Sequence, residues 1–174
     1  QGERMHLHLD PIGGVAGDMF AAAMLDYHRP WQRPLYEAIR GSGLAPDLDV
    51  CALAHNDGCL TGHRFEVKQP QSRNRDHHRH WRDIRGRLQD SGFETAVKQR
   101  AIAIFELLAE AEAEVHGAAV DEVTFHEVGA WDSIADIVAA AWLIERSGAT
   151  TWSCSPLPLG RGRVASAHGW LPIP

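Results

Sequence analysis

Phe125-His-Glu-Val-Gly-Ala-Trp-Asp-Ser-Ile-Ala-Asp-Ile-Val138 is the stretch whose reading decides the fold. It sets the imidazole of His126 and the carboxylates of Glu127, Asp132 and Asp136 around a glycine turn that opens a helix. Ser133 with Asp136 has the spacing of a capping box, which predicts a helix starting there. Ile134, Ile137, Val138, Ala141 and Trp142 then share one face, and that face would dock the helix onto a core. Polar groups held at a packed helix mouth can serve a metal, or they can simply cap the helix. The rest of the chain has to separate the two readings.

The charge pattern is compatible with the metal reading, and equally with a solvated acidic helix beside a basic loop. The formal net charge is -6, and no Lys or Arg occurs between Ala101 and Glu145. That span carries Glu106, Glu110, Glu112, Glu114, Asp121, Glu122, Glu127, Asp132, Asp136 and Glu145. By contrast, Arg73 to Arg87 holds six arginines and three histidines against two aspartates, and from Ser147 onward Arg161 and Arg163 meet no acid. Such polarity predicts a cation-attracting surface and separate anion-attracting ones. Eleven histidines in 174 residues point the same way.

Composition bounds the remainder. The 44% hydrophobic and 23% charged content suits one sizeable globular core. No apolar run reaches the roughly 20 residues that span a bilayer, so no membrane partner is expected. The basic cluster lacks an aromatic ladder and the chain is acidic, so no nucleic acid is expected either. Cys51, Cys59 and Cys154 form no Cys-x-x-Cys pair, which argues against a disulfide scaffold or a thiolate zinc site and fits a cytoplasmic location. Residues 1–4 are expected to be an extension ahead of a native start at Met5.

Met5 to Asp10 alternates, which predicts a strand with His6, His8 and Asp10 on one face. Pro11 to Gly17 is a turn, and Asp18 is placed to cap the helix that follows. Further expectations are a helix over Arg33 to Arg40 and a strand pair (Val50 to Ala54, Gly62 to Lys68) turning at Asn56-Asp57-Gly58. A weak helix is expected over His80 to Gln89, and a strong one over Phe93 to His116 with a stop at Gly117. On that long helix Ile104, Leu107, Leu108, Ala111 and Val115 read as the buried stripe. Residues 69–80 read as a mobile loop, and Thr150 to Pro174 as short strands and turns. Irregularly mixed helices and strands predict an α+β domain: a mixed sheet of short strands, several packed helices and one long central helix.

Gly13, Gly14 and Gly17 make the strand–turn–helix resemble a phosphate cradle. Ile12 spoils the dinucleotide fingerprint and no Lys supplies a Walker loop. The flanking Asp10 and Asp18 suit a metal or a metal-bridged phosphate better. His6 and His8 have the spacing by which two imidazoles of one strand reach one cation, of the kind that nickel, zinc, iron or manganese provides. His77, His78 and His80 can gather a transition metal loosely. Arg161 and Arg163 beside glycines, with His168 further on, suit an anion.

Three ordered motifs carry a resemblance: Leu9-Asp-Pro-Ile-Gly-Gly-Val-Ala-Gly-Asp-Met-Phe20, the stretch quoted first, and Ser155-Pro-Leu-Pro-Leu-Gly160 with Ala167-His-Gly-Trp-Leu-Pro-Ile-Pro174. Together they resemble the LarC nickel-insertion family. The resemblance implies nickel insertion into pyridinium-3,5-bisthiocarboxylic acid mononucleotide, the last step of nickel-pincer cofactor maturation. It also implies a nickel chelatase of the lyase class that uses CTP with a divalent metal, Mg or Mn. The chain looks like the N-terminal portion of such a protein, so a C-terminal domain or a separate chain is an expected partner, as is a homo-oligomer. Pro11-Ile12-Gly13 stands where many members have Cys-Phe-Ser, and Cys154 where many have Ser, so no role for those side chains carries over. The acid-rich span and the family motifs together lead to the expectation that Asp10, Asp18, His126, Glu127, Asp132 and Asp136 form or border a catalytic, metal and substrate site, with Gly13, Gly14, Gly17, Arg161, Arg163 and His168 as candidate substrate contacts.

Two other functions compete. A non-enzymatic nickel store or delivery module would use the histidines of residues 77–80. A metal-dependent hydrolase would use His6-x-His8, although a barrel hydrolase needs roughly 250 residues.

Overall fold

The computed structural model describes residues 4–45, 48–68, 79–126, 128–166 and 169–173. In chain order the first half runs β1 (His6–Leu9), α1 (Gly17–Tyr27), α2 (Gln32–Gly41), β2 (Asp49–Asn56), β3 (Thr61–Lys68) and β4 (Arg79–His80). The second half runs α3 (Trp81–Asp90), α4 (Thr95–His116), β5 (Thr124–Phe125), α5 (Trp131–Ser147), β6 (Thr151–Cys154), β7 (Arg163–Ser166) and β8 (Gly169–Pro172). This is the expected α+β class. Among the described residues the strands fall into four two-stranded pairs, one parallel (β1–β6) and three antiparallel.

The chain forms two compact units. One comprises Gln1–Ala16 with Ser147–Pro174, the other Gly17–Arg146. In the first unit β1 pairs with β6, and β7–β8 form a hairpin, so the expectation of short strands after Thr150 holds.

The second unit holds the larger core. The β2–β3 hairpin matches the expected pair, and its turn is built by side chains. Asp57 Oδ1 accepts the N–H groups of Cys59 and Leu60 at 2.8 and 2.7 Å, and Asn56 Oδ1 accepts that of Gly58 at 2.8 Å. These bonds to Leu60 and Cys59 hold the exposed Asp57 carboxyl below its ordinary value. The hairpin packs against α1 and α2, and Tyr36 on α2 accepts the Ala52 N–H at 2.6 Å.

Helix α4 stops as predicted at Gly117, which adopts φ +64°. Its buried face is a different one from the expected stripe. Val97, Ala101, Phe105, Ala109 and Ala113 are buried, while Leu107 and Val115 are 69% and 80% exposed. Two apolar rows coexist on this helix, and the aromatic partners of Phe105 decide between them. Trp81 stacks on Phe105 at 5.7 Å, and Phe125 lies 5.9 Å from Phe105 and 6.4 Å from Trp81. All three rings are at most 1% exposed. The alanines of that row let the helix approach closely, and a packed aromatic cluster outweighs a row of isolated aliphatics.

Helix α5 begins at Trp131, two residues before the predicted start, with the Ile134 N–H bonded to the Ala130 carbonyl at 3.1 Å. Asp132 Oδ1 takes the Ser133 N–H at 2.9 Å. Asp132 therefore serves the helix end, and Asp136 is released from the expected capping box into the second turn. Ile134, Val138, Ala141 and Trp142 are buried as predicted and Ile137 is half-buried; Ala135, Ala139 and Leu143 are buried too. An Arg100–Glu145 ion pair ties α4 to α5.

Candidate functional site

The site is built around the point where the chain leaves the aromatic core at Phe125. Strand β5 pairs with β4, in the register Arg79 to Phe125 and His80 to Thr124. Residues 79 and 80 are thus part of a strand, although they were expected in the mobile loop; residues 69–78 lie outside the described residues. The Arg79 guanidinium donates to the Gly129 carbonyl and sits 4.5 Å from the centre of the Trp131 ring, with Arg87 5.7 Å from the same ring. Two cations over one indole, plus a bond to the turn's backbone, fix the entry to α5. Sequence reasoning missed this clamp. The signal available was an arginine-rich segment complementary to a span without any cation.

Behind the clamp, α5 meets the start of α1. A Cβ on Gly17 would lie 2.7 Å from Asp136 Cβ, closer than packed carbons approach. Glycine is required here because the α1 backbone rests on the Asp136 side chain. Asp136 Oδ1 is buried and no hydrogen bond among the described residues satisfies it. Burial, then Asp18, then Asp132 push the Asp136 carboxyl up to about 7. Asp18 Oδ1 accepts the Met19 N–H at 2.8 Å in the first turn of α1.

Asp18 of the first motif and Asp132 and Asp136 of the second are thereby brought into one electrostatic group. Three carboxylates, one of them with a buried oxygen that no hydrogen bond among the described residues satisfies, form a group short of positive charge, and oxygen donors of this kind suit a divalent cation. Among the described residues, no three of His, Cys, Asp and Glu stand close enough to form a ready-made chelate.

The other expected residues are distributed as follows. His126 is half-buried next to Phe125. His80 accepts or donates one hydrogen bond with Thr124 Oγ1 at 2.9 Å and is exposed. Asp10, Gly13 and Gly14 belong to the first unit, as do the exposed Arg161 and Arg163 and the β1 residues His6 and His8. Gly14 has φ +107° in a turn closed by its N–H to the Pro11 carbonyl at 3.2 Å. Glu127, His77, His78 and His168 lie outside the described residues. Cys51, Cys59 and Cys154 are free thiols, and no described helix is long and apolar enough to cross a membrane.

Gly17→Ala tests the α1–α5 contact. The added methyl should cost about 1–3 kcal/mol through overpacking, lowering the melting midpoint by several degrees. A wild-type midpoint in the variant would show that the two helices are not in this contact.

A family model described as nickel insertion protein matches residues 7–174. The chain belongs to the nickel insertion protein family. It is 38% identical over 168 residues to the pyridinium-3,5-bisthiocarboxylic acid mononucleotide nickel insertion protein of Staphylococcus epidermidis, covering 97% of this chain and 41% of that protein. It is 42% identical over 168 residues to a protein of Roseiflexus castenholzii named "Putative nickel insertion protein", covering 97% and 41%. The chain thus spans about two-fifths of the length of these nickel insertion relatives. No solved structure matches it.

Proposed function

We propose that this chain supplies the nickel-handling part of a protein that inserts nickel into pyridinium-3,5-bisthiocarboxylic acid mononucleotide. The observation that supports this reading is the buried, unsatisfied Asp136 carboxyl coupled to Asp18 and Asp132. Nickel is the cargo of the reaction, so its site must both hold and release it. Carboxylate oxygens bind a borderline cation less tightly than sulfur donors do, so a thiocarboxylate substrate can draw the ion off the aspartates. The carboxyl at about 7 assists in both directions: it gives up its proton when the ion arrives and takes one back when the ion leaves. His126, half-buried just after β5, is assigned as an imidazole donor, with Glu127 beside it in sequence.

The remaining assignments belong to the same proposal. Arg161 and Arg163, exposed and without neighbouring acids in sequence, contact the substrate's phosphate or carboxylate groups, with His168 and the glycines at 13 and 14. The CTP step, with its Mg or Mn ion, is placed in the part by which the relatives exceed this chain. The protein acts in the cytoplasm.

Calorimetric titration of nickel into the isolated protein tests the reading. Wild type should bind nickel, and His126→Ala combined with Asp132→Ala should abolish cofactor maturation in a complementation assay. No nickel uptake by wild type, together with intact maturation in the double variant, would refute the site.

A further inference from the structure

Strand β1 presents His6 and His8 on its exposed face, and the parallel register sets Thr151 beside His6 and Ser153 beside His8. Their side chains form one alternating hydrogen-bonded chain. It runs from Thr151 Oγ1 to His6 Nδ1 at 2.8 Å, and from His6 Nε2 to Ser153 Oγ at 2.8 Å. It continues from Ser153 Oγ to His8 Nδ1 at 2.7 Å, and from His8 Nε2 to Ser155 Oγ at 3.1 Å. Ser153 Oγ is therefore a point on which ring nitrogens of two different histidines converge.

We propose that His6 and His8 form a two-imidazole site for a borderline divalent transition metal, centred at the position of Ser153 Oγ. Imidazole nitrogen binds such ions at about 2.0–2.1 Å. A cation near the serine oxygen thus needs each ring to close by less than about 1 Å. The outer nitrogen of each ring already has a hydroxyl partner, in Thr151 and Ser155. That is the hydrogen bond that sets the tautomer and orientation of a metal-bound histidine. Neutral imidazoles are softer donors than the carboxylates of Asp18, Asp132 and Asp136, so this site selects nickel, copper or zinc over magnesium or calcium. With two protein ligands and an exposed face, water fills the remaining positions and the ion exchanges readily. These properties suit capture of a metal ion from solution. The site lies wholly in the first unit and stands whether or not the carboxylates carry nickel. The competing role is structural, with the histidines only stitching β1 to β6.

The test titrates nickel(II) alone, by calorimetry, into full-length protein carrying His77→Gln, His78→Gln and His80→Gln to silence the other histidine cluster. In that background, His6→Gln or His8→Gln should weaken one binding event by at least ~10-fold. Glutamine retains hydrogen-bonding capacity and should leave the melting midpoint nearly unchanged. Ser153→Ala should preserve the event, because the hydroxyl gives way to the ion, and Asp132→Asn with Asp136→Asn should not touch it. Unchanged nickel binding in both histidine variants would overturn the proposal. So would loss of the event in Ser153→Ala together with a lowered melting midpoint, the mark of the structural role.

Discussion

Asp136→Asn is expected to make the metal-free protein more stable above pH 7 while weakening the proposed nickel binding by at least about 10-fold, the lower end of what disturbing the groups around a metal costs. The two effects share one cause. Burial and the charges of Asp18 and Asp132 raise the carboxyl from its ordinary 3.8 to about 7 in the folded protein. The folded state therefore holds this proton more tightly than the unfolded chain does. Its stabilising contribution is full below about pH 4 and is lost as pH rises towards 7. A rise of that size corresponds to about 4 kcal/mol at 1.4 kcal/mol per pH unit, which water at this half-buried position screens to about 1–2 kcal/mol. The amide cannot ionise, so the variant's stability should be flat across that window where the wild type declines. Denaturant midpoints at pH 4, 5.5 and 7.5 read the first effect, and nickel calorimetry reads the second. Parallel pH profiles for the two proteins would show that Asp136 ionises without penalty and that the carboxylates are not a group. In wild type, nickel affinity should climb with pH up to about 7, since the ion displaces that proton.

Phe105→Ala is expected to cost about 3–5 kcal/mol, the range for deleting a fully buried aromatic ring. Leu107→Ala, two positions along the same helix, should cost less than about 0.5 kcal/mol because its side chain is already in water. The pair distinguishes the two faces of α4 in one experiment by urea denaturation. Phe105→Ala should also loosen the backbone that carries His126, because Phe125 lies 5.9 Å from Phe105 and His126 follows directly. Equal costs for the two substitutions would mean that α4 is rotated so that the Leu107 row faces the core.

Much of the local structure was legible because it depends on neighbours in sequence. The helix stop at Gly117 needs only a residue that tolerates a positive φ. The β2–β3 turn needs only Asn56, Asp57 and Gly58, whose side chains bond the adjacent backbone. The buried face of α5 was readable because a single row of large apolar residues runs along it. The face of α4 was not, because two rows compete there and the winner is set by Trp81 and Phe125, which are distant in sequence. The capping box at Ser133 misled for a similar reason. Ser133 and Asp136 have the right spacing, but Arg79 grips Gly129 and Trp131 and starts the helix earlier.

For function the division falls in the same place. The sequence by itself determined the family, through three ordered motifs, and marked Asp18 in the first motif and Asp132 and Asp136 in the span without cations as residues whose type suits a cation. It could not rank them. Only the tertiary structure decided that Asp136 is the member whose carboxyl is pushed up, because that shift depends on its burial and on the carboxylates of Asp18 and Asp132. Residue type and spacing are local properties, whereas desolvation and charge coupling exist only once distant segments are packed together.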